Sequence, residues 1–183
     1  MSGFSEFLRR HASGRNIGLS LLLAIASFAL MAAVFAPAFQ EATGGLRPFD
    51  LNFGISAEKM YRDLPAYTDE SRRIYLGFAV ADYVYPAAAG AFFALLWAWM
   101  FKRVSSRLFD RLAAAGVLCF PFLFTLIDWL ENAGFLFVIF SYPAEYPGIA
   151  ALAGSLKALK PLVEAVIVLL TLLFACITVR ARV

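Results

Sequence analysis

Four apolar stretches, each long enough to cross a lipid bilayer, constrain this chain more than any other feature of its sequence. A transmembrane helix needs about 20 consecutive apolar residues, and the absence of water in hydrocarbon forces such a segment to pair its own backbone groups. The stretches cover residues 17–39, 74–100, 112–140 and 156–179. Hydrophobic residues make up 62% of the chain, whereas soluble domains contain about half. We therefore predict an all-α polytopic membrane protein, a single domain over residues 1–183 with four transmembrane helices in a bundle.

Two shorter helices are predicted outside these spans. Residues 1–14 place four side chains on one side of a helix, namely Phe4, Phe7, Leu8 and His11. This pattern is typical of an amphipathic helix lying in the membrane interface. In the long connection over residues 40–73, Ser56 is positioned to cap a short helix that Pro65 ends.

The basic residues indicate how the chain crosses the membrane. Arginine and lysine cluster in the N-terminal tail, in the short second connection and at the C-terminus, while acidic and basic residues nearly balance in residues 40–73. The positive-inside rule then places both termini in the cytoplasm and the long helical loop outside it. We expect a multi-pass protein of the bacterial inner membrane.

Charge and composition exclude several classes of function. The net charge of +3 comes from clusters at helix ends, so nucleic-acid binding has no support. A single histidine, His11, leaves no pair of histidines to hold a haem. We expect no cofactor.

The third apolar stretch carries three polar residues, Asp128, Glu131 and Asn132. Their i, i+3, i+4 spacing puts them on one helical face. Ionisable residues inside a membrane cost about 2.5–3.5 kcal/mol each on insertion scales, so they usually face a protein interior and mark function. We predict that Asp128 and Glu131 form the charge-bearing centre of a buried site and that Asn132 orients it.

Other helices deliver charged groups to nearly the same depth. Asp82 and Glu164 fall at the level of Glu131 when depth is measured from the middle of each span at 1.5 Å per residue. Lys157 and Lys160 lie just outward on the helical face of Glu164. Asp82 is therefore predicted as the partner of the centre, and the binding residues are predicted to be Asn132, Glu164, Lys160, Lys157, Arg72, Tyr75 and Tyr85.

Four interpretations of this layer stay open. It can be a structural network that fixes helix register, or a pocket for acid–base chemistry on a lipid-like or isoprenoid molecule. It can also be a proton or cation path. As a metal site it would offer oxygen ligands suited to magnesium, calcium or manganese, and the ligands would be Asp82, Asp128, Glu131 and Glu164.

Three short elements resemble those of an uncharacterised group of bacterial four-helix membrane proteins. They are Arg72-Arg73-Ile74-Tyr75-Leu76, Asp82-Tyr83-Val84-Tyr85-Pro86 and Asp128-Trp129-Leu130-Glu131-Asn132. They match R-x-x-Y-L, D-x-x-Y-P and D-x-x-E-N elements, and the resemblance covers roughly residues 56 to 170. It implies a shared fold and a shared buried site, and it implies no activity.

The leading hypothesis is a membrane protein that binds, and processes or moves, a small amphiphile at a carboxylate-rich site in the outer half of the bundle. Lys160 and Arg72 would neutralise the carboxylates or hold an anionic headgroup. The alternatives are an accessory or assembly subunit with a structural polar network and a small proton- or cation-coupled carrier. The expected partners are membrane lipids and a second copy or partner membrane subunit, with the alanine–glycine face of residues 87–94 as a dimer surface.

Overall fold

The computed structural model describes residues 3–104 and 106–181. These residues form helices joined by turns, and no strand occurs among them. Four of the helical segments are long and apolar enough to cross a membrane: Gly14–Ala42, Asp69–Arg103, Val117–Ser141 and Pro147–Arg180. The all-α prediction with four candidate spans is therefore confirmed. Residues 1–2 of the predicted interfacial helix lie outside the described residues.

The α-helices follow one another along the chain with these bounds: α1 Gly3–His11, α2 Gly14–Leu30, α3 Ala36–Ala42, α4 Ala57–Asp63, α5 Asp69–Arg103, α6 Arg107–Ala114, α7 Pro121–Ser141 and α8 Pro147–Arg180. A π-helical turn, Met31–Phe35, joins α2 to α3, so the first span runs without interruption from Gly14 to Ala42. Pro37 lies just after this π-helical turn, inside the continuous helical segment. A proline has no N–H to donate to an earlier carbonyl.

The long connection folds as the sequence predicts. The Ser56 side chain accepts a hydrogen bond of 3.2 Å from the Lys59 N–H at the start of α4. A 3₁₀ turn, Leu64–Ala66, follows at Pro65. The Thr68 hydroxyl then accepts a hydrogen bond of 3.1 Å from the Ser71 N–H at the start of α5. These caps satisfy N–H groups that the first turn of a helix leaves without partners.

Residues 112–140, the third predicted span, do not form one continuous helix. The helix that enters it, α6, ends at Ala114, and Gly116 adopts a left-handed conformation with φ of 81°. A short 3₁₀ turn follows, and α7 begins at Pro121. Glycine takes positive φ without steric cost, and proline suits the first position of a helix. These two residues therefore divide one apolar stretch into separate elements.

The helix that contains the fourth predicted span, residues 156–179, begins earlier than that span. Helix α8 runs from Pro147 to Arg180. Proline starts the helix, and the alanines that follow are strong helix formers. The early start puts the lysines of α8 well inside the helix, where their positions are fixed by its backbone.

The chain divides into two compact units. The terminal unit comprises residues 1–24, 86–125 and 162–183. Within it the Trp97 indole N–H donates to the Thr171 hydroxyl at 2.8 Å, and Phe101 stacks on Phe109 with ring centroids 4.3 Å apart. A Cβ atom on Gly90 would lie 2.5 Å from the Thr125 hydroxyl oxygen. The alanine–glycine face of α5 is thus packed inside the chain at Gly90.

The loop unit comprises residues 25–85 and 126–161 and contains the long connection. Its core is built around five aromatic side chains, Phe39, Phe49, Tyr67, Tyr75 and Phe135. Complete burial of such a side chain contributes about 1.5–3 kcal/mol. The helices α7 and α8 approach closely, because a Cβ on Gly134 would lie only 2.9 Å from that of Ala153. This close contact brings the polar residues of the two helices within reach of each other.

Candidate functional site

The polar face of α7 is buried in the loop unit. The exposed fractions are 1% for Asp128, 0% for Glu131 and 2% for Asn132. In contrast, Trp129 between them is 41% exposed, and its indole N–H donates to the Tyr83 carbonyl at 2.9 Å. Helical periodicity therefore separates the charged face from the apolar face, as the i, i+3, i+4 spacing predicts.

Asn132 joins two carboxylates. Its side-chain amide donates one hydrogen bond to Asp82 Oδ2 at 2.9 Å and another to Asp128 Oδ2 at 3.1 Å. Asp82 lies on α5 and is 2% exposed. The amide thus uses its two donors to bridge α5 and α7, which is the orienting position predicted for Asn132.

The two lysines of α8 face the same carboxylates. Lys160 Nζ lies 2.5 Å from Asp128 Oδ1 and 3.1 Å from Glu131 Oε2. Lys157 Nζ lies 3.7 Å from Glu131 Oε1. Both oxygens of Glu131 are buried and accept no hydrogen bond from the described residues, so these two ammonium groups are its stabilising contacts.

Asp50, from the long connection, completes the cluster, and sequence reasoning missed it. Its carboxylate lies 3.1 Å from Lys160 Nζ, and Lys157 Nζ donates to its backbone carbonyl. Asp50 follows the fully buried Phe49 in a 3₁₀ turn. The sequence signal that could have revealed it is a lone acid between Phe49 and Leu51 in a loop long enough to suggest function.

The lysines decide the charge state of Asp50. Burial by itself raises the pKa of the Asp50 carboxyl, but Lys160, Lys157 and the neighbouring Glu131 carboxyl together outweigh burial and lower the pKa from 3.8 to about 2. A carboxyl whose pKa falls on folding stabilises the folded state when ionised. Asp50 is therefore an ionised member of the cluster at neutral pH.

Acidification is expected to remove this stabilisation. The contribution of Asp50 is complete above its ordinary pKa of 3.8 and is lost as the pH falls through about 2, which amounts to about 2 kcal/mol. Thermal unfolding in lipid nanodiscs between pH 5 and pH 2 measures it. Over this pH range, the free energy of unfolding of the Asp50→Asn variant should fall by about 2 kcal/mol less than that of wild type. An equal fall in both proteins would contradict the ion pair.

Among the described residues, the cluster contains two more acids than amines. Its acids are Asp50, Asp82, Asp128 and Glu131, and its amines are Lys157 and Lys160. Two prolines leave backbone carbonyls of the cluster residues without their usual helical donor. A proline has no N–H for the carbonyl four residues earlier. Pro86 therefore frees the carbonyl of Asp82, and Pro161 frees the carbonyl of Lys157.

The predicted metal ligands are only partly brought together. Asp50, Asp128 and Glu131 each offer an oxygen within 4.8 Å of the others, whereas Asp82 and Glu164 are not part of this group. Lys160 Nζ lies within 3.1 Å of all three carboxylates. Its ammonium therefore occupies the position from which a cation would bind these oxygens.

The remaining predicted binding residues lie at varied distances from the cluster. Tyr75 is 1% exposed and interacts electrostatically with Asp50, Asp82 and Glu131. Arg72 donates to the Ile139 carbonyl near the end of α7 at 2.6 Å, where a cation complements the helix dipole. Tyr85 is half-buried and packs on Phe28 with ring centroids 6.0 Å apart. Glu164 is exposed on α8 and belongs to the terminal unit.

Two apolar cavities lie in the terminal unit. One of about 410 Å³ is lined by Ala115, Gly116, Val117, Cys119, Phe120 and Leu170. The other, of about 160 Å³, is lined by Trp99, Met100, Ala175, Thr178 and Val179. None of these residues belongs to the charged cluster, so the cavities offer apolar surface without its chemistry.

No protein-family model, no curated protein sequence and no solved protein structure matches this chain. What can be concluded about function therefore depends on the fold and on the geometry of the carboxylate–lysine cluster.

Proposed function

We propose that this chain is an integral membrane protein that takes up and releases protons at its buried carboxylate–lysine cluster, as part of a proton-coupled process. The observation that carries the proposal is the excess of two carboxylates over amines in the described part of the cluster, where no acidic or basic side chain is more than 14% exposed. Uncompensated charge in a low-dielectric interior costs several kcal/mol. Protons are the smallest cations that can cancel this excess.

The connectivity of the cluster suits proton transfer. Asn132 holds Asp82 and Asp128 by one amide group, and Lys160 holds Asp128, Glu131 and Asp50. A proton that arrives on one carboxylate weakens its attraction for Lys160, which can then move toward the carboxylates that stay charged. Chains of acids inside membrane proteins act as proton relays in this way.

The proposed setting is the bacterial inner membrane, with both termini in the cytoplasm and the long loop outside. The support is the charge distribution, since the basic residues Lys102, Arg103, Arg107 and Arg111 gather at the end of α5 and in α6. Membrane lipids are the proposed partners of the exposed leucines and valines on α2 and α8. We also propose common ancestry with the four-helix group that shares the D-x-x-E-N element.

Infrared spectroscopy tests the proton-binding function directly. For the protein in nanodiscs, a pH change near neutrality is expected to produce the carbonyl band of a buried protonated carboxylic acid. Asp82→Asn, which keeps the shape and removes the charge, should lose part of this band and lower proton uptake by about one proton per chain. The matched control is Glu58→Gln, because the Glu58 side chain is 82% exposed.

Two results would count against proton binding. One is a wild-type spectrum without a pH-dependent carboxylic-acid band. The other is that Asp128→Asn and Glu131→Gln together leave uptake unchanged and raise the melting temperature. The second result would favour the accessory subunit with a structural polar network.

Amphiphile binding is a second candidate function. It is favoured by the position of Asp50 in a loop and not in one of the long helices. This carboxylate reaches both lysines from a loop, so an anionic headgroup could replace it while the helices stay in place. Mass spectrometry of lipids that co-purify with the protein tests this candidate. Anionic lipid should bind more strongly to Asp50→Asn than to wild type and more weakly to Lys157→Gln, and equal binding in all three would exclude it.

A further inference from the structure

Two tyrosine hydroxyls are buried in the loop unit without a hydrogen-bond partner among the described residues. They belong to Tyr67, which is 6% exposed, and Tyr75, which is 1% exposed. A buried hydroxyl without a partner costs about 1–3 kcal/mol, and such groups in native proteins usually bind ordered water. The two hydroxyls therefore indicate a polar site inside an otherwise apolar core.

The two hydroxyl groups belong to rings that are close neighbours. Their centroids are 6.4 Å apart, and Phe39 packs edge-on against both, at 5.0 Å from Tyr67 and 5.6 Å from Tyr75. Phe49 also contacts both rings. A phenylalanine ring offers a hydroxyl no conventional hydrogen bond, so the described residues leave both hydroxyls open to a small partner such as water.

The pair is linked both to the loop and to the charged cluster. Tyr67 follows α4, whose last residue, Asp63, forms a 2.8 Å ion pair with the partly exposed Lys59. Phe49, which contacts both tyrosine rings, directly precedes Asp50 of the cluster. Tyr75 lies seven residues before Asp82 on α5, which places the two side chains on the same side of that helix.

We propose that Tyr67 and Tyr75 hold buried water and form the route by which protons reach the carboxylate–lysine cluster from the loop side. The route rests on the proton-binding function proposed above. In each transfer the hydroxyl oxygen accepts one proton and releases its own to the next acceptor, so the tyrosine ends unchanged. Burial and the nearby Asp63 raise the pKa of Tyr67, which keeps its hydroxyl protonated and able to donate.

Tyrosine-to-phenylalanine variants test the route, because they remove the hydroxyl and keep the ring contacts. After a rapid pH change, Tyr67→Phe and Tyr75→Phe should take up as many protons as wild type, at least about ten-fold more slowly. Time-resolved infrared spectroscopy of the carboxylic-acid band measures both amount and rate. Tyr146→Phe is the control, since Tyr146 is 44% exposed, and its rate should match wild type.

The possible outcomes separate the route from the function that it serves. Normal amount and normal rate in both variants would overturn the route and leave proton binding intact. No uptake in wild type would overturn the function and the route together. A high-resolution map provides a second readout: water within hydrogen-bonding distance of either hydroxyl supports the site, and tight packing of apolar atoms around both hydroxyls overturns it.

Discussion

Lys160→Met is expected to lower the free energy of unfolding by about 3–5 kcal/mol, the usual cost of removing one partner from a buried ion pair. Methionine nearly preserves the volume of the side chain, so lost charge dominates the effect. The substitution leaves Asp50, Asp128 and Glu131 around an apolar group in place of an ammonium at 2.5–3.1 Å. Thermal and denaturant unfolding in nanodiscs measures the loss.

Lys157→Met is the matched control for this prediction. Lys157 lies on the same face of α8, but its ammonium is 3.7 Å from the carboxylates of Asp50 and Glu131. We expect a smaller loss of stability, because ion-pair energy falls with distance. Equal losses for the two lysines would show that Lys160 has no special place in the cluster, and unchanged stability of Lys160→Met would contradict the ion pairs altogether.

Gly134→Leu is expected to destabilise the protein by about 3 kcal/mol, at the upper end of the usual cost of overpacking. A side chain at this position meets Ala153 already at its Cβ, at 2.9 Å. The substitution should push α7 away from α8 and thereby separate Glu131 from Lys160. Thermal unfolding measures the stability, and the carboxylic-acid infrared band reports whether the cluster has been disturbed.

A double substitution isolates this contact. Gly134→Ala should be milder than Gly134→Leu, and adding Ala153→Gly should restore most of the lost stability because the two Cβ atoms no longer coincide. The non-additive part measures the coupling between the two positions. Purely additive effects would mean that the helices do not approach each other at Gly134 and Ala153.

The sequence predicts the α7 side of the cluster well, for a physical reason. Asp128, Glu131 and Asn132 lie in one helix, and helical periodicity relates residues three and four positions apart. Lys157 and Lys160 obey the same periodicity in α8. Helix type, burial of the polar face and the cap at Ser56 follow from local sequence patterns, and each is found in the structure.

The position of Asp50 could not be predicted in this way. It contacts Lys160 across 110 residues of sequence, and it lies in a loop, where no periodicity relates it to any helix. Glu164 differs from the prediction for another reason. It lies one turn beyond Lys160 on the predicted face of α8, but it is exposed and belongs to the terminal unit. A shared helical face does not bury a side chain unless another part of the chain covers that turn of the helix.

The break between α6 and α7 is a second feature that the sequence pattern does not predict. Hydrophobicity continues through residues 112–140, so length alone favours one helix, but Gly116 and Pro121 divide it. Proline is tolerated inside α5 and α8, whereas Pro121 starts a helix. The difference depends on the glycine before it, which offers a backbone conformation that ends one helix and allows another to begin.

The position of Lys160 has a consequence for selectivity between cations. Because its ammonium is covalently attached to α8, its effective concentration at the three carboxylates does not change when the surrounding solution is diluted. A dissolved metal ion must compete with this permanent occupant, whereas a proton can bind to a carboxylate oxygen without displacing it. If the cluster binds protons as proposed, the covalent attachment of Lys160 to α8 favours protons over larger cations, because a larger cation has to displace the ammonium.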